Sequence, residues 1–460
     1  ILRLYKKNQK PFKINSKNFR NQKKDKISKG QSMWNSSKKY IAGGNMLFSK
    51  RPDCFLPEKW PSYFKQTAGC KVRDLDNKVY YDLCHMSVGT NTLGYSNKYV
   101  DQEVMKIVKQ GNISTLNCPE EVILAKKLIK LHPWADKVRF ARTGGEANAI
   151  AIRLARASTK KNNIAFCGYH GWHDWYLAAN LKSKNNLSQH LIRGLNVEGV
   201  PSKLKKTIFP FMYNNFKQLK KIVEKNNIGI IKMEVMRNEP PKNNFLKKVR
   251  ALADKKKIIL IFDECTTGFR ETLGGLHKKY KVYPDLLILG KAMGNGYAIT
   301  SVLGKQNIMN NIKKTFISST FWTERIGSAA ALKTIEIMEK KKSWKIITEK
   351  GKYIMKNWLK IAKKNELKIK VSGLPALCSF YFESKNNNAY KTYITQEMLK
   401  HGFLATNVVY VSTAHSKSII DKYLKKIDII FKKIKEFENG KDVYSHLNSM
   451  PATESFSRLN

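Results

Sequence analysis

Acidic residues are scarce in this 460-residue chain: 35 Asp and Glu stand against 86 Lys and Arg, a formal charge of +51 at pH 7. Long apolar runs are missing too. None reaches the roughly 18 residues that suggest a membrane span, and no apolar h-region follows the basic N-terminus, so neither a membrane nor a secretory reading is supported. The cysteines at 54, 70, 84, 118, 167, 265 and 378 are odd in number, scattered and without a CxxC pair. That argues against a disulfide framework or zinc ribbon and fits a reducing, cytoplasmic setting. No GxxxxGK[ST] loop, GxGxxG fingerprint, internal repeat or heptad run occurs, so a nucleotide is not specifically indicated. The cationic excess is where a nucleic-acid reading would start. It is spread along the chain instead, as at Lys205 and Lys206, Lys255 to Lys257 and Lys340 to Lys342, often beside Asn and Ile. A compositional bias on solvated faces produces that pattern, and nucleic-acid binding is the lesser reading.

What is present is a globular composition, 42% hydrophobic, in a chain long enough for one large and one smaller domain. Residues 1–32 are Lys- and Asn-rich and read as a basic flexible tail, with a transit peptide as the minority alternative. The first residue is Ile1, so the start is expected to be missing or displaced. Residues 33–85 read as the N-terminal part of a small domain, with KVRDLDNKVYYDL forming a hairpin around an Asp-Asn turn. In 86–334, helix-like stretches such as VDQEVMKIVKQG and PEEVILAKKLIKLHPWA alternate with strand candidates at 138–141, 164–167, 207–209, 228–233, 258–262 and 286–289. This repetition implies an α/β fold, with a mostly parallel sheet covered on both faces. Residues 335–438, amphipathic helices with short strands near CSFYFE, read as the C-terminal part of the small domain, and 439–460 as a polar tail.

Four strand ends carry chemistry. The run 286–289 delivers Gly290 and then Lys291 at the edge where open α/β sheets bind ligands; a lysine desolvated there can form a Schiff base. ARTGGEANAIAIRLARAST passes from a strand through Gly144 and Gly145 into a helix, whose N-terminus suits a phosphate. CGYHGWHDWY offers aromatics, Tyr169 first, to stack on a flat heterocycle. His170 and His173 have a metal-like HxxH spacing with no supporting third ligand, so no metal is expected, and His170 is left to bind substrate or orient a loop. IILIFDECTTGFR ends in Asp263 and Glu264, where a carboxylate can keep a pyridine nitrogen protonated or simply cap the next turn. Phosphate, ring face, ring nitrogen and aldehyde together specify pyridoxal phosphate.

The chain resembles the class III (fold type I) pyridoxal-phosphate aminotransferases, and most of all the glutamate-1-semialdehyde aminomutase branch. The resemblance covers about 40 to 435 and rests on TGGEANAIAIRLARA, YHGWHD, FDECTTGFRETLGG, PDLLILGKAMGNGYAI, STFWTERIG and VSTAH. It implies a large domain with a mostly parallel seven-stranded sheet and a small α+β domain from both termini. It implies Lys291 as Schiff-base lysine and proton shuttle, Asp263 against the pyridinium nitrogen, Tyr169 on the ring, and Gly144 with Gly145 on the phosphate. Thr320 would reach the phosphate of a partner subunit, so a homodimer sharing its sites is implied. The activity implied is transamination between small amine and keto substrates, with the aminomutase reaction as the alternative. A non-catalytic nucleic-acid binder on the same scaffold is a distant third reading.

Three departures concern the substrate. Gly145 stands where relatives often carry threonine, so one hydroxyl contact is absent. Asn407 stands where the aminomutases have an acid, and Glu239 where they have Asn, so the two are expected to face each other with acid and amide exchanged. Lys50 and Arg51 fall near the aminomutase's carboxylate-binding segment and are candidates for an anionic group, against a plain solvent-facing role.

Overall fold

The protein's structure, a computed structural model, describes residues 27–190 and 194–453. Most of the tail expected at 1–32 lies outside them. Within that range the helix Lys29–Tyr40 already begins, capped by the Ser28 side chain and burying Trp34.

The centre is a seven-stranded sheet in the order Lys137–Ala141, Thr300–Gly304, Leu286–Leu289, Ile259–Glu264, Ile228–Glu234, Asn163–Cys167, Ile208–Pro210. IGIIKME, ILIFDE and LLIL are buried at every position, the uninterrupted pattern of strands covered on both faces. Thr300–Gly304, absent from the expected strands, inserts antiparallel between two of them, with Val302 opposite both Arg139 and Ile288. The other six run one way, so their C-terminal ends share one edge.

The helix Gly144–Thr159 starts with a capping box between Thr143 and Glu146, which supplies acceptors for free N–H groups and stabilises a helix by about 1 kcal/mol. Its Ala147, Ile150, Ala151 and Leu154 pack on one face of the sheet with Ile230, Ile261 and Ile288. The amphipathic run after 325 is two helices, Arg325–Lys341 and Ser343–Lys364, separated by Lys342 in the left-handed region at φ 50°.

The chain's two ends share a second sheet, in which Phe403–Ala405 pairs parallel with Val79–Leu83 of the expected hairpin. A third sheet, built around Leu377–Phe382, lies over a core containing Trp358, Phe380 and Tyr423. The Trp358 Nε1–H donates to the Tyr423 hydroxyl at 3.1 Å. The stretch from 439 onward is not the polar tail expected as far as the structure describes it: Val443 and Leu447 join that core, and Ala452 is buried as well. Among the described residues no helix is long and apolar enough to cross a membrane.

Candidate active site

The shared edge of parallel strands brings together groups that are far apart in the chain. Lys291 follows Leu286–Leu289 and adopts φ 44°, a left-handed conformation that costs a residue with a Cβ about 1–2 kcal/mol. Its Nζ donates to Thr266 Oγ1 at 2.8 Å. Burial pulls its pKa below the ordinary lysine value, against the opposing charges of Cys265, Glu234 and Asp263, which favours the nucleophilic free amine.

Asp263 ends the neighbouring strand with 4% exposure. Its Oδ2 is 2.9 Å from His170 Nδ1 and its Oδ1 accepts the Cys265 N–H at 3.1 Å. Lys232 Nζ is 3.7 Å from Oδ2. Burial alone would raise the carboxyl's pKa, but Lys232 first and His170 next outweigh it and hold Asp263 below the usual carboxylate range. His170 is itself held down at about 4, by burial and then by Lys232. Its Nδ1 faces Asp263 Oδ2, and its Nε2 lies 3.1 Å from the Cys167 carbonyl oxygen. The expectation of a substrate contact or loop role for His170 resolves into a partner of Asp263.

Glu264, one residue on, faces the other side of the sheet. It accepts the Thr267 hydroxyl at 2.9 Å, the His277 N–H at 3.0 Å, His277 Nδ1–H at 2.7 Å and the Leu276 N–H. Trp134 Nε1–H donates to His277 Nε2 at 3.3 Å, which fixes the tautomer. Of the two readings of the Asp-Glu pair, turn-capping applies to Glu264 throughout and to Asp263 through the Cys265 N–H.

Gly144 and Gly145 open the helix Gly144–Thr159 with N–H groups at the positive end of its dipole. A Cβ at Gly145 would lie 2.6 Å from His173 Cε1, and that imidazole stacks on Trp172 at 4.6 Å. His173 therefore occupies the space a threonine at 145 would need. Tyr169 is half-buried, and its N–H donates to Glu234 Oε2 at 3.0 Å. Gly168 before it has φ 108°, and a Cβ there would be 2.4 Å from the same oxygen.

Several of these residues were not singled out from the sequence. Thr266 and Arg270 lie unremarked within FDECTTGFRETLGG, and Lys232 is one lysine among many. Glu234, 5% exposed, sits opposite Asp263 in register and 3.6 Å from Arg237 Nη1. Arg237 also donates to the His190 carbonyl, and with Glu234, His190 and Tyr213 it lines a cavity of about 210 Å³. Buried Arg270 donates to Thr92 Oγ1 at 2.7 Å, to the Thr266 carbonyl at 3.2 Å and to the Gly89 carbonyl. In VSTAH, Ser412 Oγ donates to the Thr92 carbonyl at 3.0 Å and His415 Nε2 to the Asp82 carbonyl at 2.8 Å. That motif joins the C-terminal part to residues 82–95.

The remaining candidates have partners or settings of their own. Glu239 is exposed and paired with Lys242 at 2.8 Å, whereas Asn407 donates to the Phe380 carbonyl at 2.8 Å. Glu239 and Asn407, expected to face each other, are thus each hydrogen-bonded to another partner. Arg51 is spent on Asp53 at 3.2 Å and on the Trp34 ring at 5.6 Å. Lys50 is exposed at the rim of a separate cavity of about 510 Å³ walled by Trp34, Phe55 and Trp60. Thr320 is exposed at the start of a 3-10 turn, Thr320–Thr323.

The donor set fits pyridoxal phosphate: a half-buried amine beside a hydroxyl, a carboxylate held ionised on the next strand, and a helix that opens on the N–H groups of two glycines. Residues 57–434 match the family model described as aminotransferase class-III. The chain is 34% identical to a 3-aminobutyryl-CoA aminotransferase of Cloacimonas acidaminovorans, over 82% of this chain and 89% of that protein. It is 30% identical to a glutamate-1-semialdehyde 2,1-aminomutase of Methanosphaera stadtmanae, over 89% of this chain and 99% of the relative. Among solved structures it is similar to the PLP internal aldimine form of the FumI protein of Sphingopyxis sp. MTA144, with TM-score 0.80, 20% identity and coverage of 91% and 99%. An omega-transaminase from Sphaerobacter thermophilus superimposes with TM-score 0.78 at 18% identity, covering 88% and 97%.

Proposed function

We propose, for a chain that belongs to the class-III aminotransferase family, that Lys291 and Asp263 work as a pair in transferring an amino group between a small amine and a keto acceptor. Bound through its aldehyde to Lys291, pyridoxal phosphate would supply the electron sink for the pair left behind when a proton leaves the substrate carbon. The observation that carries this reading is the placement of Lys291 Nζ against Thr266 Oγ1 at 2.8 Å beside the strand that ends in buried Asp263. Once a substrate amine displaces it, Lys291 Nζ is free to take and return a proton, with its lowered pKa suited to that exchange. Asp263, held ionised by its neighbours, would keep a proton on the ring nitrogen, Tyr169 would cover the ring, and the N–H groups at Gly144 and Gly145 would hold the phosphate.

Arg237 is better placed than Lys50 or Arg51 to meet an anionic group of the substrate, since it lines the cavity beside Glu234. Thr320 stands near Phe316 and Phe321, which are 87% and 71% exposed; apolar exposure of that extent supports a homodimer in which this segment meets the partner's phosphate end. Seven free cysteines support a cytoplasmic setting.

The second reading, the aminomutase reaction, is favoured by the 99% coverage of the Methanosphaera relative. The engagement of Glu239 by Lys242 and of Asn407 by the Phe380 carbonyl favours the transferase. The deciding experiment is an absorption spectrum with added pyridoxal phosphate, for wild type and Lys291→Ala, followed by amines and by glutamate-1-semialdehyde. A visible band lost in the variant and bleached by amines, without formation of 5-aminolevulinate, is expected. Rapid formation of that product would select the mutase, and absence of any band would end both readings.

A further inference from the structure

A lysine lies inside the central sheet where solvent does not reach it. Lys232 is 0% exposed, on the strand Ile228–Glu234, between register partners Phe166 and Ile261. It shares the face of Ile230, which the helix Gly144–Thr159 covers. Its Nζ is buried without a hydrogen-bond acceptor among the described residues, and it approaches Asp263 Oδ2 at 3.7 Å. An ammonium placed so deep is costly unless an anion answers it. Packing does not call for one: the positions beside it on the same face are Phe and Ile.

We propose that Lys232 is a positioning residue for the reaction, a second counter-ion of Asp263 that keeps its carboxylate ionised and sets how much negative charge remains for the ring nitrogen of the cofactor. This rests on the reading of Asp263 as the ring-nitrogen partner. The charged and titratable groups around that carboxylate come from every adjoining element. His170 comes from the loop after Asn163–Cys167, Lys232 and Glu234 from the neighbouring strand, Cys265 from the next turn and Lys291 from the strand beyond. Glu234 and Asp263 are register partners, so two carboxylates would otherwise face the site side by side. A cation behind them divides its attraction between Asp263 and the interior, and a ring proton meets a carboxylate already partly neutralised.

Two measurements separate this proposal from the reading beneath it. In the protein without cofactor, Lys232→Met is expected to raise the melting temperature by about 2 °C or more in an Asp263→Asn background, and not in wild type. The reason is that the buried ammonium has lost its carboxylate there. Recovery of a folded double variant from an unfolded Asp263→Asn protein counts the same way, and equal shifts in both backgrounds would overturn the ion pair. In the holoenzyme carrying cofactor labelled with 15N in its ring, Lys232→Met is expected to move the ring-nitrogen resonance toward the protonated form, and Asp263→Asn away from it. A resonance moved by Asp263→Asn but untouched by Lys232→Met would leave Lys232 a merely structural residue and overturn the proposal. A resonance moved by neither would instead show that Asp263 is not the ring partner.

Discussion

Asp263 and Glu264 are consecutive residues whose carboxylates lie on opposite faces of one sheet, the first against His170 and Lys232, the second against His277 and Thr267. Strand alternation alone produces the division. It sets one carboxylate beside the proposed cofactor lysine's strand and commits the other to the loop at 265–277.

Their variants should therefore fail differently. Glu264→Gln is expected to lose about 3 kcal/mol of stability in urea titrations, since it weakens a buried, multiply bonded carboxylate, while the visible cofactor band is retained. Asp263→Asn is expected to lower turnover on the order of a hundredfold at saturating cofactor. Identical phenotypes in the two assays would contradict the division.

The space taken by His173 leads to a rescue. Gly145→Thr, which restores the residue common in relatives, should cost about 1–3 kcal/mol here because its side chain overlaps the imidazole. The double variant with His173→Ala should regain both melting temperature and cofactor retention on dialysis. Wild-type behaviour of Gly145→Thr alone would show that the loop gives way freely.

Stability should fall on mild acidification. Burial holds His85, His132, His190 and His415 down at about 4 from 6.5. The unfolded chain, with the higher pKa, therefore binds more protons between these values. The contribution is complete above about pH 6.5 and is lost as pH falls toward 4, at roughly 1.4 kcal/mol per pH unit for each group. Denaturant midpoints at pH 7.5 and 5 measure the slope. His415→Gln, which keeps a donor for the Asp82 carbonyl, should flatten it by about one proton, and an unchanged slope would count against the buried neutral form.

Arg237 offers a test of substrate charge. Arg237→Gln is expected to raise KM for an amine bearing a carboxylate by about tenfold, the scale of one charged hydrogen bond, with little change in kcat. Uncharged amines should be unaffected. An equal effect on both classes would mean that Arg237 acts only through Glu234.

The sequence by itself determined six strands of the central sheet and the groups that their ends carry. Apolar runs that lead to Lys291, Asp263 and Tyr169 pack as strands covered on both faces, and parallel connection then sends their ends to one edge. The helix start at Gly144 and the hairpin at 71–83 were equally legible, because both depend on neighbours a few residues apart. Tertiary structure decided what depends on distant partners. Lys232 reads as one more cation in a chain of 86 Lys and Arg until its strand places it behind Asp263. Glu239 and Asn407 looked like an exchanged pair because alignment of motifs carries no direction for a side chain. Thr300–Gly304 was missed because an antiparallel insertion between two strands leaves no local mark. Val443 and Leu447 looked like part of a polar tail until the core around Trp358 supplied a surface to bury them. Periodicity and caps are local and survive in one dimension; burial, charge pairing and packing arise only where the fold brings separate segments into contact.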